Sequence, residues 1–425
     1  MADSEMNEMD VPGRADARDV GEVFAPRIAV ECFCATPDFA TVLQEAARDR
    51  RMHKARMAVA MGGPGQAAKR FANFGTPNLL IVETLESGYG VFQELEALAE
   101  VCDPDTQVIV AGPSNDITLY RELLRQGVSE YLVSPSAPLQ VIDAVTGLYV
   151  EPEATPAART VAVFGVKGGV GSSVLAHNLA DLIGQELEKD TLLVDFDLAF
   201  GTASLDFNLE PKHSVAEAIA DLSALDDMKL ARLVQPFSDH LKILSAPGVA
   251  RETAAASSEA AELLIDIART TCDALVLDLP KAWDGAVRQS LLAADEVVLV
   301  AAPDLASLRN VKAVHGWLSS QRQNDSSPKV VLTQTGMPKR PEIDRADFTS
   351  ILGAPIDLEI PFEPALFGAA LNNGTMLSEM KDGAKVAAPL RAFARKLMGR
   401  EAIADAGPKS ALHLGGLLKV FKRAG

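Results

Sequence analysis

VAVFGVKGGVGSSVLAHNLADLIG, Val161–Gly184, decides the fold. A run of apolar residues passes into a glycine-rich turn and then straight into an amphipathic helical pattern. Gly168, Gly169 and Gly171 let backbone N–H groups point inward at phosphate oxygens, and the helix that follows adds the positive end of its dipole. Val170 and Ser172 complete the turn, and Ser173 falls where a hydroxyl would ligate Mg²⁺. The rival reading is a tight strand-to-helix turn without a ligand. Strand, loop and helix in this order favour the phosphate reading.

Outward from the loop, the same rhythm continues from about Val161 to Arg400. The runs TLLVDF, LKILSA, ALVLDL, EVVLVAA, KVVLTQ and PIDLEI read as further strands, with apolar-faced helices between most of them. That alternation predicts a doubly wound, mostly parallel α/β sheet of the P-loop NTPase kind. Two of these strands end in carboxylates. TLLVDFDLAF carries Asp195 and Asp197, and ALVLDLP carries Asp278, an acid able to hold a Mg²⁺-bound water. The alternative for Asp195 and Asp197 is a pair of strand-end acids in a solvated loop.

Upstream, from Arg27 to about Tyr149, the runs RIAVECFC, RMAVAM, NLLIVE, QVIVAG and EYLV alternate with helical stretches. Five strand–helix units predict a smaller parallel sheet covered on both faces, of the flavodoxin-like kind. EPEATPAART, starting at Glu151, lacks apolar spacing and reads as a linker. The expected division is a disordered segment at 1–25, a first domain at 26–150, a linker at 151–159, a second domain at 160–400 and a tail at 401–425.

Composition narrows the function. The 425 residues are 48% apolar and 23% charged, which suits a soluble globular chain with a sizeable core. Aromatics are only 5%, so the cores should be built from Ala, Val and Leu. Forty Lys and Arg against 58 Asp and Glu leave a net charge of −18. This argues against non-specific duplex binding, which needs cations to displace counterions, so no nucleic-acid partner is expected. Cys32, Cys34, Cys102 and Cys272 have neither metal-site nor disulfide spacing and read as small hydrophobes in a reducing, cytoplasmic compartment. The acidic N-terminus is no signal peptide, and no run of 18 apolar residues spans a membrane.

In the tail, SALHLGGLLKVFKRAG sets Leu414, Leu417, Leu418 and Phe421 on one helical face, with Lys419, Lys422 and Arg423 off it. This composition suits a helix lying in an anionic membrane surface. Gly415 and Gly416 count against it, at about 1 kcal/mol of helix propensity each. A helix packed on the protein's own core, or a partner-binding segment, is the alternative.

The KGGVG turn resembles the deviant Walker A loop of the MinD/ParA ATPases, whose ligands are ATP and Mg²⁺. The resemblance makes Lys167 the signature lysine, which in that family reaches across a dimer interface to the partner's nucleotide. It makes Asp195 a metal-shell residue together with Ser173 and Asp278, and Asp197 the residue that orients the attacking water. The ordinary P-loop lysine is absent, because Ser172 stands there. A hydroxyl cannot bring a lysine's charge to the β/γ phosphates, so hydrolysis is expected to be slow or absent while binding survives. On the base side the family's Asn is replaced by Thr333 or Gln334, Arg340 is a late candidate, and Pro361 and Phe362 are expected to border the base. The resemblance implies a homodimer. Its C-terminal membrane anchor resembles the tail and implies peripheral contact with the inner membrane.

The first domain resembles a response-regulator receiver with its chemistry removed. Receivers need a cluster of acids near strand one, an Asp ending strand three, a Ser/Thr ending strand four and a Lys ending strand five. Here stand only Glu31, then Glu83, Ala111-Gly112 and Ser134. Glu83 either mimics a charged state or is merely a strand-end acid. A degenerate receiver followed by a MinD-like domain resembles the TadZ/CpaE proteins of Tad (Flp) type IV pilus assembly. That implies a cytoplasmic scaffold, at the membrane or cell pole, partnered by pilus and secretion machinery proteins. LASLRN, Leu305–Asn310, also resembles a segment of those proteins and carries no assigned chemistry. Two rival functions are a working ParA-type positioning or partition ATPase, and a signalling receiver with a nucleotide-regulated output.

Overall fold

The computed structural model describes residues 21–150, 157–247 and 256–399. The tail with its amphipathic stretch, most of the expected linker and residues 1–20 lie outside the described residues.

The first sheet is built from β1 (Ala29–Cys34), β2 (Arg56–Met61), β3 (Leu79–Glu83), β4 (Gln107–Gly112) and β5 (Glu130–Val133). They run in the order β2-β1-β3-β4-β5, with every neighbouring pair parallel. Helices α1 (Pro37–Ala47), α2 (Gly63–Phe71), α3 (Gly90–Ala99) and α4 (Ile117–Arg125) make the crossovers, and α5 (Pro138–Gly147) follows the last strand. Parallel strands need such crossovers, which is why both faces are covered and β3 is buried throughout. Cys32 and Cys34 face one core and Phe33 the other, as alternation along a strand requires. Burial pushes the Cys34 thiol up to about 12 and the Cys32 thiol well above its ordinary value, so these are inert packing groups.

The second sheet uses β6 (Arg159–Gly165), β7 (Thr191–Asp195), β8 (Gln235–Pro236), β9 (Leu241–Leu244), β10 (Ala274–Leu279), β11 (Glu296–Ala301), β12 (Lys329–Thr335) and β13 (Leu358–Pro361). Their order is β13-β12-β11-β6-β10-β7-β9-β8, parallel except for β8 against β9. The main crossovers are α6 (Ser172–Leu187), α7 (Ala203–Asp206), α8 (Val215–Ala220), α9 (Asp227–Leu233), α10 (Ser258–Ala268) and α11 (Gly285–Ala293). They continue with α12 (Leu305–Gln321), α13 (Arg345–Leu352), α14 (Pro364–Asn373) and α15 (Ala384–Leu397). One apolar core lies under α10, α11 and α12, and a second under α6 and α15. The fold is therefore α/β with two mostly parallel sheets, and α6 is enclosed on its sheet-facing side. No helix among the described residues is long and apolar enough to cross a membrane.

The two sheets' units meet at a charged joint. Arg50 and Arg51, both under 10% exposed, follow α1 and reach Asp325, while Asn324 donates to Asp49 at 2.8 Å. Arg51 and Asn324 hold the Asp49 carboxyl down at about 2; burial alone would raise it. Residues 21–25, expected within the disordered segment, are packed here. Glu22 pairs with Arg50, the Phe24 ring lies beneath the guanidinium groups of Arg50 and Arg269, and Ala25 is fully buried. Their order comes from this cation–π and ion-pair seat, which a composition argument does not register.

Candidate functional site

The phosphate loop lies between β6 and α6. Gly171, the residue before the helix, sits at φ +81°, and Gly169 at φ +75°, left-handed positions that suit glycine. No side chain caps the N-terminus of α6. The same is true of α2, α3, α14 and α15, but not of every helix. Thr36, Ser257, Asp284 and Asp304 each close the first turn of α1, α10, α11 and α12 with a side-chain oxygen. The amides of α6 are thus left for a ligand. Ser172 turns back under the strand. A side-chain carbon at Gly165 would lie 2.6 Å from its Oγ, so the small residue at 165 makes room for that hydroxyl.

Around the outer half of the loop is a cavity of about 320 Å³. Gly169, Val170 and Gly171 line one side, and Gln334, Pro361 and Phe362 another. This brings together the loop and the expected base-side residues in a volume suited to a small ligand. The polar ends of Thr333 and Gln334 are engaged with the loop itself. Thr333 Oγ1 donates to the Val170 carbonyl at 2.6 Å, and Gln334 Nε2 to the Gly169 carbonyl at 2.7 Å. They brace the turn more than they offer groups to a base. Arg340 is not a solvated charge: it donates to the Gln334 carbonyl and pairs with Glu342 at 2.8 Å.

The inner carboxylates form a separate cluster. β7 and β10 are neighbours in register, which sets Asp195 beside Asp278. Asp195 is fully buried and accepts from the Asp197 amide at 3.0 Å and the Ala203 amide at 3.2 Å. Its burial, and then the charge of Asp278, push the carboxyl up to about 7. Asp278 is 1% exposed, and neither of its oxygens has a hydrogen-bond partner. The His177 ring, with Nε2 3.3 Å from Oδ2, is a loose ion-pair partner, and both oxygens keep lone pairs of the kind that fits a divalent ion. Among the described residues Ser173, in the first turn of α6, has no side-chain partner either.

The sequence reading missed His177, one turn into α6. Its ring is fully buried, with Nδ1 2.7 Å from Asp206 Oδ2 and Nε2 3.3 Å from Asp278 Oδ2. Burial works to lower its pKa, but the two carboxylates prevail and lift it to about 10. The available signal was a His inside the apolar face of LAHNLADLI, a polar residue aimed at the strand ends.

Lys167 and Asp197 stand apart from the inner cluster. Lys167 Nζ pairs with Asp304 Oδ2 at 2.7 Å within the same chain. Burial would raise the Asp304 carboxyl, but the hydrogen bonds from Lys167 and the Ser307 amide hold it below the usual range. Asn310 donates to the Val166 carbonyl at 2.9 Å, so the LASLRN segment and the Asp304 that precedes it grip the loop at two points. Asp197 accepts from the Phe200 amide at 3.0 Å and lines a different hollow, with Lys281 and Pro280. The Lys281 stem passes Gly168, its Cδ 3.8 Å from where a side-chain carbon there would begin. Lys281 was also absent from the sequence reading. Its exposed ammonium has no ion-pair partner among the described residues.

In the first sheet Glu83 ends β3 and is 2% exposed. Its two oxygens accept from the Thr36 amide and the Thr36 hydroxyl, each at 2.7 Å. Glu31 pairs with Arg70 at 2.7 Å and takes no part in an acid cluster.

A family model for the cellulose biosynthesis protein BcsQ matches residues 158–319. A solved structure of the pilus assembly protein CpaE from Caulobacter crescentus is 49% identical, covering 30% of this chain and 98% of that one, with a TM-score of 0.30. A ParA family ATPase from Chlorobium tepidum is 23% identical over 56% of this chain and 98% of its own, with a TM-score of 0.51, which bears on the fold alone. The septum site-determining protein MinD of Synechocystis is 24% identical over 170 residues. That match takes in 38% of this chain, and the chain spans 60% of that relative's length.

Proposed function

The chain belongs to the CpaE-like pilus assembly proteins, and from that premise we propose that it is an ATP-binding scaffold whose nucleotide-bound dimer is the competent state. The observation that carries this reading is the uncapped N-terminus of α6 above a buried Asp278 that lacks any hydrogen-bond partner. The helix end and the loop amides would hold phosphates. Ser173, Asp195 and Asp278 would hold the Mg²⁺, which screens phosphate charge. The cavity bounded by Pro361 and Phe362 would take the base. Lys167 would leave Asp304 and reach the partner's nucleotide. With Ser172 turned toward Gly165, no P-loop lysine neutralises the β/γ phosphates, so hydrolysis is slow or absent. The scaffold works in the cytoplasm at the membrane or pole, recruits the Tad (Flp) pilus machinery, and touches the inner membrane through its C-terminal segment.

Calorimetry with Mg-ATP, turnover and mass-resolved sizing test this on wild type and Lys167→Ala. Expected are ATP binding by both, dimerisation by wild type only, and negligible turnover. Absence of ATP binding in wild type would sink the reading. One observation favours a second: Lys281 runs alongside Gly168 and shares the hollow of Asp197. If turnover is robust and falls with Lys281→Ala, this lysine replaces the missing charge and the chain is a working ATPase.

A further inference from the structure

We propose that His177, Asp195 and Asp278 form a binding site for a borderline divalent ion of the zinc class, filled without nucleotide. This deepens the cation reading of Asp195 and Asp278 given above and rests on it, but it does not need the phosphate loop to be occupied.

The geometry is that of a metal site. One donor atom from each of the three residues lies within 4.8 Å of the others, and all three residues are at most 1% exposed. His177 Nε2 and both Asp278 oxygens have no hydrogen-bond partner. Nε2 and Oδ2 stand 3.3 Å apart. A charged N–H···O⁻ bond usually closes to about 2.7–2.9 Å, so this contact is no more than a loose ion pair. Two zinc–donor bonds of about 2.1 Å, meeting at the tetrahedral angle, separate their donors by about 3.4 Å. The observed spacing fits an ion between them better than a direct bond. Asp195 still has lone pairs to offer, since each of its oxygens accepts only one backbone amide.

The outer partner fits as well. A metal-bound imidazole characteristically donates its other ring N–H to a carboxylate, which fixes the tautomer and turns the free lone pair toward the ion. Asp206 Oδ2 lies 2.7 Å from His177 Nδ1, and the Thr202 hydroxyl steadies the same oxygen at 3.3 Å. The donor set also selects the ion. One imidazole with two carboxylates suits Zn²⁺, Co²⁺ or Mn²⁺ better than Mg²⁺, which prefers oxygen throughout. Asp206 belongs to α7, just beyond the Asp195–Asp197 turn. The ion would therefore tie that turn to α6 and β10 from beneath.

The test uses the full chain, dialysed against chelator and kept free of nucleotide. Co²⁺ is titrated and its visible d–d absorption followed, with Zn²⁺ as the competing ion. The expected results are a saturable tetrahedral-type spectrum at one ion per chain, displacement by Zn²⁺, and at least a 10-fold preference over Mg²⁺. His177→Gln should weaken Co²⁺ binding at least 100-fold. Asp206→Asn, which keeps every proposed ligand, should weaken it about 10- to 100-fold. Glu83→Gln, in the other sheet, should leave it unchanged. Ring-nitrogen NMR of His177 supplies a readout that does not depend on the variants folding. A proton on Nε2 that persists in saturating Zn²⁺ would mean an internal ion pair and overturn the proposal, as would wild-type Co²⁺ binding no tighter than that of His177→Gln. Failure of ATP to bind while Co²⁺ binds would sink the nucleotide reading alone.

Discussion

Two strand-end carboxylates in this chain occupy equivalent places and have opposite surroundings. Glu83 ends the central strand of the first sheet, and Asp278 is the last residue but one of an interior strand of the second. Both are almost completely buried. Glu83 is answered from within the fold, because Thr36 gives it an amide and a hydroxyl. Asp278 receives no hydrogen bond at all. A buried acid whose lone pairs are satisfied is a structural part, whereas one whose lone pairs are not is waiting for something from outside. By this criterion the first sheet has kept the place of a phospho-acceptor and closed it, and the second has kept its site open. The helix beside each acid differs too: Thr36, which holds Glu83, also caps α1, whereas no side chain caps α6.

The largest effect should come from Glu83→Ala. It strands the Thr36 amide and hydroxyl and leaves a cavity, so denaturant unfolding should show a loss of about 2–4 kcal/mol. Glu83→Gln keeps an acceptor and should cost about 1 kcal/mol. Neither should alter ATP affinity, and wild type should take up no label from acetyl phosphate. Uptake on Glu83, or a loss of ATP binding, would break the contrast.

The next effect concerns pH. Asp195 has a folded pKa of about 7, above its unfolded value of about 3.9. An acid shifted upward stabilises fully below its unfolded pKa, and that contribution is lost as pH rises through the folded one. The cation-free protein should therefore weaken between about pH 4 and pH 7 through this group. Asp195→Asn should flatten the slope and stabilise the protein at pH 8 by on the order of 2 kcal/mol, with little change at pH 4. Melting temperatures across that range check it. A slope that is unchanged in the variant would show that Asp195 is not under this strain.

The smallest effect should be at Gln334. Its amide holds the Gly169 carbonyl from across the cavity. Gln334→Ala removes one neutral hydrogen bond, worth about 1 kcal/mol, and should weaken ATP binding about 5-fold without changing the melting temperature by more than a few degrees. Equal affinity in calorimetry would mean that the loop keeps its shape unaided.

Much of this was legible in the sequence because parallel strands buried on both faces read as continuous apolar runs. Each run quoted from TLLVDF to PIDLEI became a strand, and the glycines of the loop announced their left-handed turns. The two-residue strand β8 was not legible, since two residues carry no periodicity. Nor was the joint at Arg50, whose partner Asp325 lies 275 positions away. His177 sat in plain view within LAHNLADLI, yet its meaning depends on Asp206 and Asp278, which local spacing does not bring near. Thr333 and Gln334 were placed beside the base site, and their hydrogen bonds to the loop needed coordinates to be seen. The expected tail helix lies outside the described residues.

The central claim is that Asp278 is held without a hydrogen-bond partner, beside His177, in order to receive a cation and its nucleotide. The direct measurement is Asp278→Asn, with cation-free stability and Mg-ATP affinity read on the same preparation. The account predicts a split: unfolding without cations changed by no more than about 1–2 kcal/mol, because the relief of repulsion with Asp195 offsets the loss of the loose ion pair with His177, and Mg-ATP affinity lower by at least 10-fold. A variant that is several kcal/mol less stable and still binds Mg-ATP as wild type does would make Asp278 a second Glu83, and would contradict the account.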